Sequence, residues 1–246
     1  MEKIISYENL RSFAYVNDRI CTKPVKGIII SFFGLGNMSM FENETLEGEY
    51  YGEKGILYVV PYNNPWAWMN RQAAAYTDEI IDVLAEEYGL NKNIPIVSTG
   101  GSMGGQSALV YMVYAKRTPA ACVVNCPVCD IPYHFTERPD LPRTIYSAVF
   151  NENSSFKEAV EAISPIHLTD RMPKVPYYIF HCDEDQAVNK QSHSDRLVAK
   201  MRDEGFCVTY DTVPGRGHCD LDYNMKKRFA RYAVEAILRE FETEEV

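Results

Sequence analysis

Gly100-x-Ser102-x-Gly104 lies between an apolar run, Ile94-Pro95-Ile96-Val97, and a helix-like run from Gln106 to Ala115. A strand that turns at once into a helix strains the residue at its apex. The residues two places either side must then lack a Cβ, or they would collide with the turn. Such a turn lifts the Ser102 hydroxyl out of a sheet. It also sets it beside a helix N-terminus, where unpaired N–H groups and the positive dipole end favour an anion. Two chemistries fit this stretch alone: a serine nucleophile, or a glycine-rich phosphate cradle.

A serine hydroxyl is a poor nucleophile at neutral pH, so it needs a base, and the base needs an orienting carboxylate. Of the five histidines, His218 follows Val213-Pro214-Gly215-Arg216-Gly217, a glycine-flanked loop after the last strand-like run. Such a loop can swing an imidazole to the serine, which makes His218 the expected base. The other four have blander readings. His193 falls in a helix among polar neighbours and reads as solvated. His134 lies in a long insertion and is expected to line the pocket. His167 is expected to be structural, and His181 to belong to a turn. Asp183, Glu184 and Asp185 together offer three carboxylates at one strand end, and any of them could orient the base or cap a turn.

These side chains need a scaffold. Gly27–Phe33, Gly55–Val60, Ala120–Asn125, Tyr177–Phe180 and Cys207–Asp211 read as buried strands, and Phe13–Ile20 as an early antiparallel one. Helices are expected over Arg71–Tyr88 with Gly89 as its stop, over 190–204 with Gly205 as its cap, and over 225–241. Strands alternating with helices predict a mainly parallel central sheet with helices on both faces, in one domain spanning 1–246. In such sheets reactive groups gather at the C-terminal strand ends. Residues 129–170 break the alternation, carry four prolines and contain a capping box, Ser155-x-x-Glu158. They read as a small cap over the cleft.

Composition narrows the field. A net charge of −9 without a dense basic cluster argues against nucleic acid. No run approaches the roughly 18 apolar residues of a membrane span. The first residues lack a basic-then-apolar leader pattern, and seven cysteines are scattered along the chain. A cytoplasmic location with reduced thiols is the expectation. Cys126-x-x-Cys129 has metal or redox spacing, but no second pair accompanies it, so two buried thiols are the better account. Trp66 and Trp68, after the second central strand, could stack on a sugar or aromatic acyl group or equally pack under the cap.

Taken together, the chain resembles the serine hydrolases of the α/β-hydrolase superfamily, in the branch of prolyl-oligopeptidase-like enzymes and acetyl-xylan or cinnamoyl esterases. Gly100 to Gly105 is similar to the branch's Gly-x-Ser-x-Gly-Gly. His181-Cys182-Asp183-Glu184-Asp185-Gln186-Ala187-Val188 is similar to its His-Gly-x-x-Asp-x-x-Val. Gly217-His218 matches its histidine loop. The resemblance implies an α/β-hydrolase fold and a Ser102–His218–Asp185 triad. It further implies an oxyanion hole from the N–H groups of Met103 and of Leu35 (or Gly36), on the Phe33-Gly34-Leu35-Gly36 turn. Gly34, Gly36, Trp66, Trp68 and His134 are the expected substrate contacts. Two departures stand out: Cys182 in place of glycine, and Phe33 where the oxyanion loop often begins with histidine.

The implied activity is hydrolysis of small carboxylic esters, acylated saccharides among them, with no metal or organic cofactor. The expected base pKa is near about 6–7. A peptidase of the same mechanism and a non-catalytic binding protein on the same fold are the alternatives. No partner beyond a small-molecule substrate is implied, and a homo-oligomer is compatible with the sequence.

Overall fold

The structure is a computed structural model that describes residues 4–152 and 154–244. Among these, seven strands form one sheet in the order β1-β3-β2-β4-β5-β6-β7. The strands are β1 (Ala14–Val16), β2 (Gly27–Phe32), β3 (Ile56–Pro61), β4 (Ile96–Gly101), β5 (Ala121–Asn125), β6 (Tyr177–Cys182) and β7 (Val208–Val213). β1 runs antiparallel to β3, and every other pairing is parallel. The C-terminal ends of β4 to β7 therefore open on one edge. There the register sets Gly101 beside Asn125 and Cys182 beside Val213. The β-branched run Ile28-Ile29-Ile30 is wholly buried, as a strand covered on both faces requires.

Helices cover both faces. α1 (Leu46–Gly52) precedes β3, and α2 (Arg71–Glu87) starts at Asn70, whose side chain accepts from Ala73 N–H. α3 (Met103–Tyr114) follows β4 without a break. α4 (Ile131–Glu137), α5 (Leu141–Val149) and α6 (Phe156–Glu161) fill the connection between β5 and β6. α7 (Arg196–Asp203) continues a π-helical turn, Gln191–Asp195, and α8 (Tyr223–Glu244) closes the chain. No helix among the described residues is long and apolar enough to cross a membrane.

Three departures from the sequence expectations have local causes. β1 stops at Val16, well short of Ile20, because the Asn17 side chain takes over the ladder: its Oδ1 accepts from Tyr58 N–H and its Nδ2 donates to Gly48 and Ile56 carbonyls. α1 was not anticipated, since Gly48 and Gly52 weaken its helical signal. A Cβ on Gly48 would stand 2.1 Å from Tyr15 Oη, so a larger residue there would have to displace that hydroxyl. The 190–204 helix splits because the π turn points both His193 and Ser194 inward, where each is buried and hydrogen-bonded.

The inserted helices own a separate apolar cluster. Ile131, Leu141, Ile145, Val149 and Val160 enclose Trp68 and Met103, so the insertion sits over the start of α3. Buried Gln106 on α3 fastens it, its Nε2 donating to Trp68 O at 3.0 Å and to Ile163 O at 2.7 Å.

Candidate active site

Ser102 occupies the apex between β4 and α3 with φ 58° and ψ −127°, a strained conformation for a residue with a side chain. The flanking glycines are sterically obligatory. A Cβ on Gly100 would lie 2.3 Å from Gly104 O, and one on Gly104 would lie 2.0 Å from Phe32 O. Ser102 N–H donates to Asn125 O at 3.0 Å, which ties the apex to the end of β5. Its Oγ has no hydrogen-bond partner among the described residues and stands at the cleft, half-buried. Helix α3 starts with the next residue, so its first N–H groups face the same space.

The acid and base loops are laced together before either side chain is considered. Asp183 N–H donates to Val213 O, Glu184 N–H donates to Arg216 O, and Gly215 N–H donates to Asp183 Oδ1 at 2.7 Å. Asp183 is thus consumed in pinning the histidine loop, and Asp185 is the carboxylate left to meet the imidazole. His218 Nδ1–H donates to Asp185 Oδ2 at 2.7 Å, which leaves the Nε2 lone pair free to accept a proton. Asp185 Oδ1 accepts the N–H groups of Ala187 and Val188. Its Oδ2 also lies 3.3 Å from His181 Nε2, whose N–H donates to Val188 O at 3.1 Å.

Charges follow from these contacts. Burial works against the Asp185 carboxylate, yet the two imidazoles and two main-chain donors hold it well below the usual range. Burial likewise opposes a charged His218, but hydrogen bonds to Asp185 and Cys126 and the field of Asp185 push it up to about 9. That corrects the expectation of about 6–7. A lone histidine has that value, but this one faces a carboxylate that cannot be protonated near neutrality.

His218 Nε2 does not hydrogen-bond to Ser102 in this structure. Its neighbour is Cys219 Sγ at 3.8 Å, and that sulfur sits 3.6 Å from Asn125 O, the carbonyl that Ser102 N–H also addresses. Serine and histidine therefore flank one strand end. Catalytic hydrogen bonds are commonly longer before substrate binds.

The oxyanion candidates separate cleanly. Gly36 N–H is spent on Pro65 O at 3.0 Å, which removes it as a donor. The N–H groups of Leu35 and Met103 have no acceptor among the described residues. A Cβ on Gly34 would lie 3.9 Å from Ser102 Cβ, so the turn abuts the nucleophile. Gly36 adopts φ 77°, the left-handed conformation that the tight turn requires.

The expected substrate contacts divide. Trp66 is 38% exposed and lines a cavity of about 450 Å³ with Tyr62, Asn64, Asn70 and Phe150. Trp68 is fully buried, with Nε1–H donating to Thr144 Oγ1, so it packs beneath the insertion and contacts no substrate. His134 is likewise buried, held between Glu137 and the Trp68 ring. It does not line the cleft. His193 is not solvated: its Nδ1 accepts from Cys129 and Asp130 N–H, and its Nε2–H donates to Glu137.

His181 is part of the acid's setting, and its spacing from Asp185 across the strand end was its only sequence signal. Cys126 and Cys219 also escaped notice as neighbours of His218, because nothing in the chain's order pairs them. Cys129 turns away from Cys126 to contact Pro127 O.

Solved structures with this fold include a puromycin hydrolase, 18% identical with a TM-score of 0.71 over 89% of this chain. The chain spans about a third of that protein's length, 35%. Esterase 2 of Thermogutta terrifontis is 18% identical with a TM-score of 0.66, covering 92% of this chain and 88% of its own. Esterase B of Lactobacillus rhamnosus is 11% identical with a TM-score of 0.67, covering 91% and 80%. No curated protein matches by sequence. The family model described as the prolyl oligopeptidase family matches residues 73–242, which run from α2 through the serine, the acid and the histidine into α8. The chain therefore belongs to the prolyl oligopeptidase family, serine hydrolases of the α/β-hydrolase superfamily.

Proposed function

We propose that this serine hydrolase is a carboxylesterase of small acyl esters. The observation that carries the reading is the Asp185–His218 pair, which shares the end of β5 with a strained, unpartnered Ser102. His218 accepts the Ser102 proton as Oγ attacks the ester carbonyl, and Asp185 stabilises the imidazolium that forms. The N–H groups of Leu35 and Met103 hold the oxyanion. Donors of this kind typically contribute about 10²–10³ in rate, because they meet charge that appears only in the tetrahedral intermediate. His218 then protonates the departing alcohol and activates water for deacylation. No step requires a cofactor.

The esterase assignment is supported by the two esterase neighbours, whose own chains are covered by 80% or more, against 35% for the puromycin hydrolase. A peptidase of the same mechanism is the second reading, favoured by the family's name. A fluorophosphonate probe should label the wild type and leave Ser102→Ala unlabelled. No labelling of the folded wild type would point to a binding protein that has lost catalysis. Rates on p-nitrophenyl esters should exceed those on aminoacyl amides, and the reverse order would establish the peptidase.

A further inference from the structure

The cleft holds a group of atoms that ester hydrolysis does not use. Cys126 Sγ, Cys219 Sγ and a ring nitrogen of His218 all lie within 4.8 Å of one another. Nδ1 is committed to Asp185, so Nε2 is the nitrogen that faces the sulfurs, with 3.8 Å between it and Cys219 Sγ. Tetrahedral Zn²⁺ with bonds of about 2.3 Å to sulfur and about 2.0–2.1 Å to nitrogen sets its ligands roughly 3.5–3.8 Å apart. The three atoms need little movement to reach that spacing.

We propose that Cys126, Cys219 and His218 form a site for one thiophilic divalent cation, Zn²⁺ or Cd²⁺, whose occupation turns the hydrolase off. Two further features fit a metal. The carboxylate of Asp185 on Nδ1 reproduces the outer-shell partner that metal-bound histidines ordinarily have. The main-chain N–H groups of Cys182 and Cys219 both point at Cys126 Sγ, each at 3.4 Å, and would stabilise a bound thiolate. His218 and Cys219 are each half-buried, which leaves a path in from the cleft.

The two-imidazole cluster of His134, Glu137 and His193 comes equally close together, but its His193 is already committed. His193 Nδ1 accepts two main-chain N–H groups, so its Nε2 must carry the proton that goes to Glu137. No lone pair remains on His193 for an ion.

Binding at the thiol site involves no oxidation. Two S–H bonds break, and so does the Nε2–H bond wherever His218 is protonated; these protons leave to solvent, while two sulfur–metal bonds and one nitrogen–metal bond form. Water completes the fourth position. The lone pair on His218 Nε2 is then engaged by the metal, so it cannot take the Ser102 proton. Switching rests on the hydrolase reading above, whereas binding does not.

The test is a Cd²⁺ titration under a non-thiol reductant, followed through the ultraviolet thiolate-to-metal absorption. Wild type and Ser102→Ala should each saturate at one equivalent. Cys219→Ser should bind more than about 100-fold more weakly, beyond the 10–100-fold that outer-shell changes cost. Cys126→Ser serves as a second variant with the opposite thiol removed. Ester hydrolysis by the wild type should fall in step with occupancy and return on adding EDTA, while Cys219→Ser, relative to its own cation-free rate, should resist.

Absence of the absorption band at one equivalent, or equal affinity in both serine variants and the wild type, overturns the site. A full band with undiminished hydrolysis overturns the switch. A band in a wild type without any hydrolase activity leaves the site standing and removes the hydrolase reading.

Discussion

Two carboxylates in this protein each hold two imidazoles, and they serve opposite ends. Asp185 binds His218 and His181 at the cleft edge, and Glu137 binds His134 and His193 beneath the inserted helices. The difference lies in the second nitrogen. His218 keeps Nε2 clear of any main-chain or oxygen partner, with only Cys219 Sγ near it at 3.8 Å, whereas His193 has Nδ1 sealed by two main-chain donors. Burial pushes His134 below the ordinary histidine value, while the Asp185 contact lifts His218 above it. The same pair of groups becomes a proton acceptor where one face is left open, and a fastening where both are filled.

The comparison breaks most visibly at the cleft. Ser102→Ala and His218→Ala should each lower kcat by about 10⁴–10⁶, and the double variant should lose little more, since the two act as one unit. Additive losses would show that they are not partners. Asp185→Asn should cost about 10⁴ in kcat by favouring the wrong tautomer. Glu137→Gln, the matching change under the insertion, should leave kcat within about tenfold. Its effect should appear in urea melts as a loss of about 1–3 kcal/mol, because a buried imidazole N–H loses its charged acceptor. A catalytic loss as large as that of Asp185→Asn would erase the distinction between the two clusters.

The pH dependence sharpens it further. The rate should rise with pH through a midpoint above the ordinary histidine value, toward about 9, and that midpoint should fall in Asp185→Asn. A midpoint at or below 6.5 in the wild type would contradict the Asp185 contact. The stability effects have opposite signs. His218 binds its proton more tightly when folded, so its contribution is complete below about 6.5 and disappears as pH rises toward about 9. His134 binds its proton less tightly when folded, so the fold is penalised as pH falls below about 6.5. Denaturation of His218→Gln and wild type at both extremes measures the first, and a gap that widens with rising pH would refute it.

The smallest effect concerns His181. Its Nε2 donates to Val188 O and lies 3.3 Å from Asp185 Oδ2, while Ser194 Oγ lies 2.7 Å from its Nδ1. His181→Asn should reduce kcat by about tenfold or less and shift the pH midpoint without altering KM.

Legibility tracked how local the cause was. The elbow could be read because the spacing of its glycines is itself the signature, although only Gly100 answers to a near neighbour, Gly104 O, while Gly104 answers to Phe32 O on β2. Most strands could be read because they centre on short apolar runs, such as Ile28-Ile29-Ile30 in β2. From the strand end alone the acid is one of three carboxylates; the motif resemblance puts it on Asp185, and the lacing of Asp183 to Gly215 supplies the physical reason. Trp68, His134 and His193 were misjudged because their partners lie on other elements: Thr144, Glu137 and the main chain at 129–130. Helix α1 was hidden because the reason for Gly48 is a tyrosine from a neighbouring strand.

The bond from Gly36 N–H to Pro65 O joins the turn carrying Leu35 to the loop that bears Trp66. A bulky group lodged against the indole would therefore tug at the amide that must meet the developing negative charge. Chain-length preference in such a molecule should register as faster or slower turnover, with affinity nearly level across a homologous series.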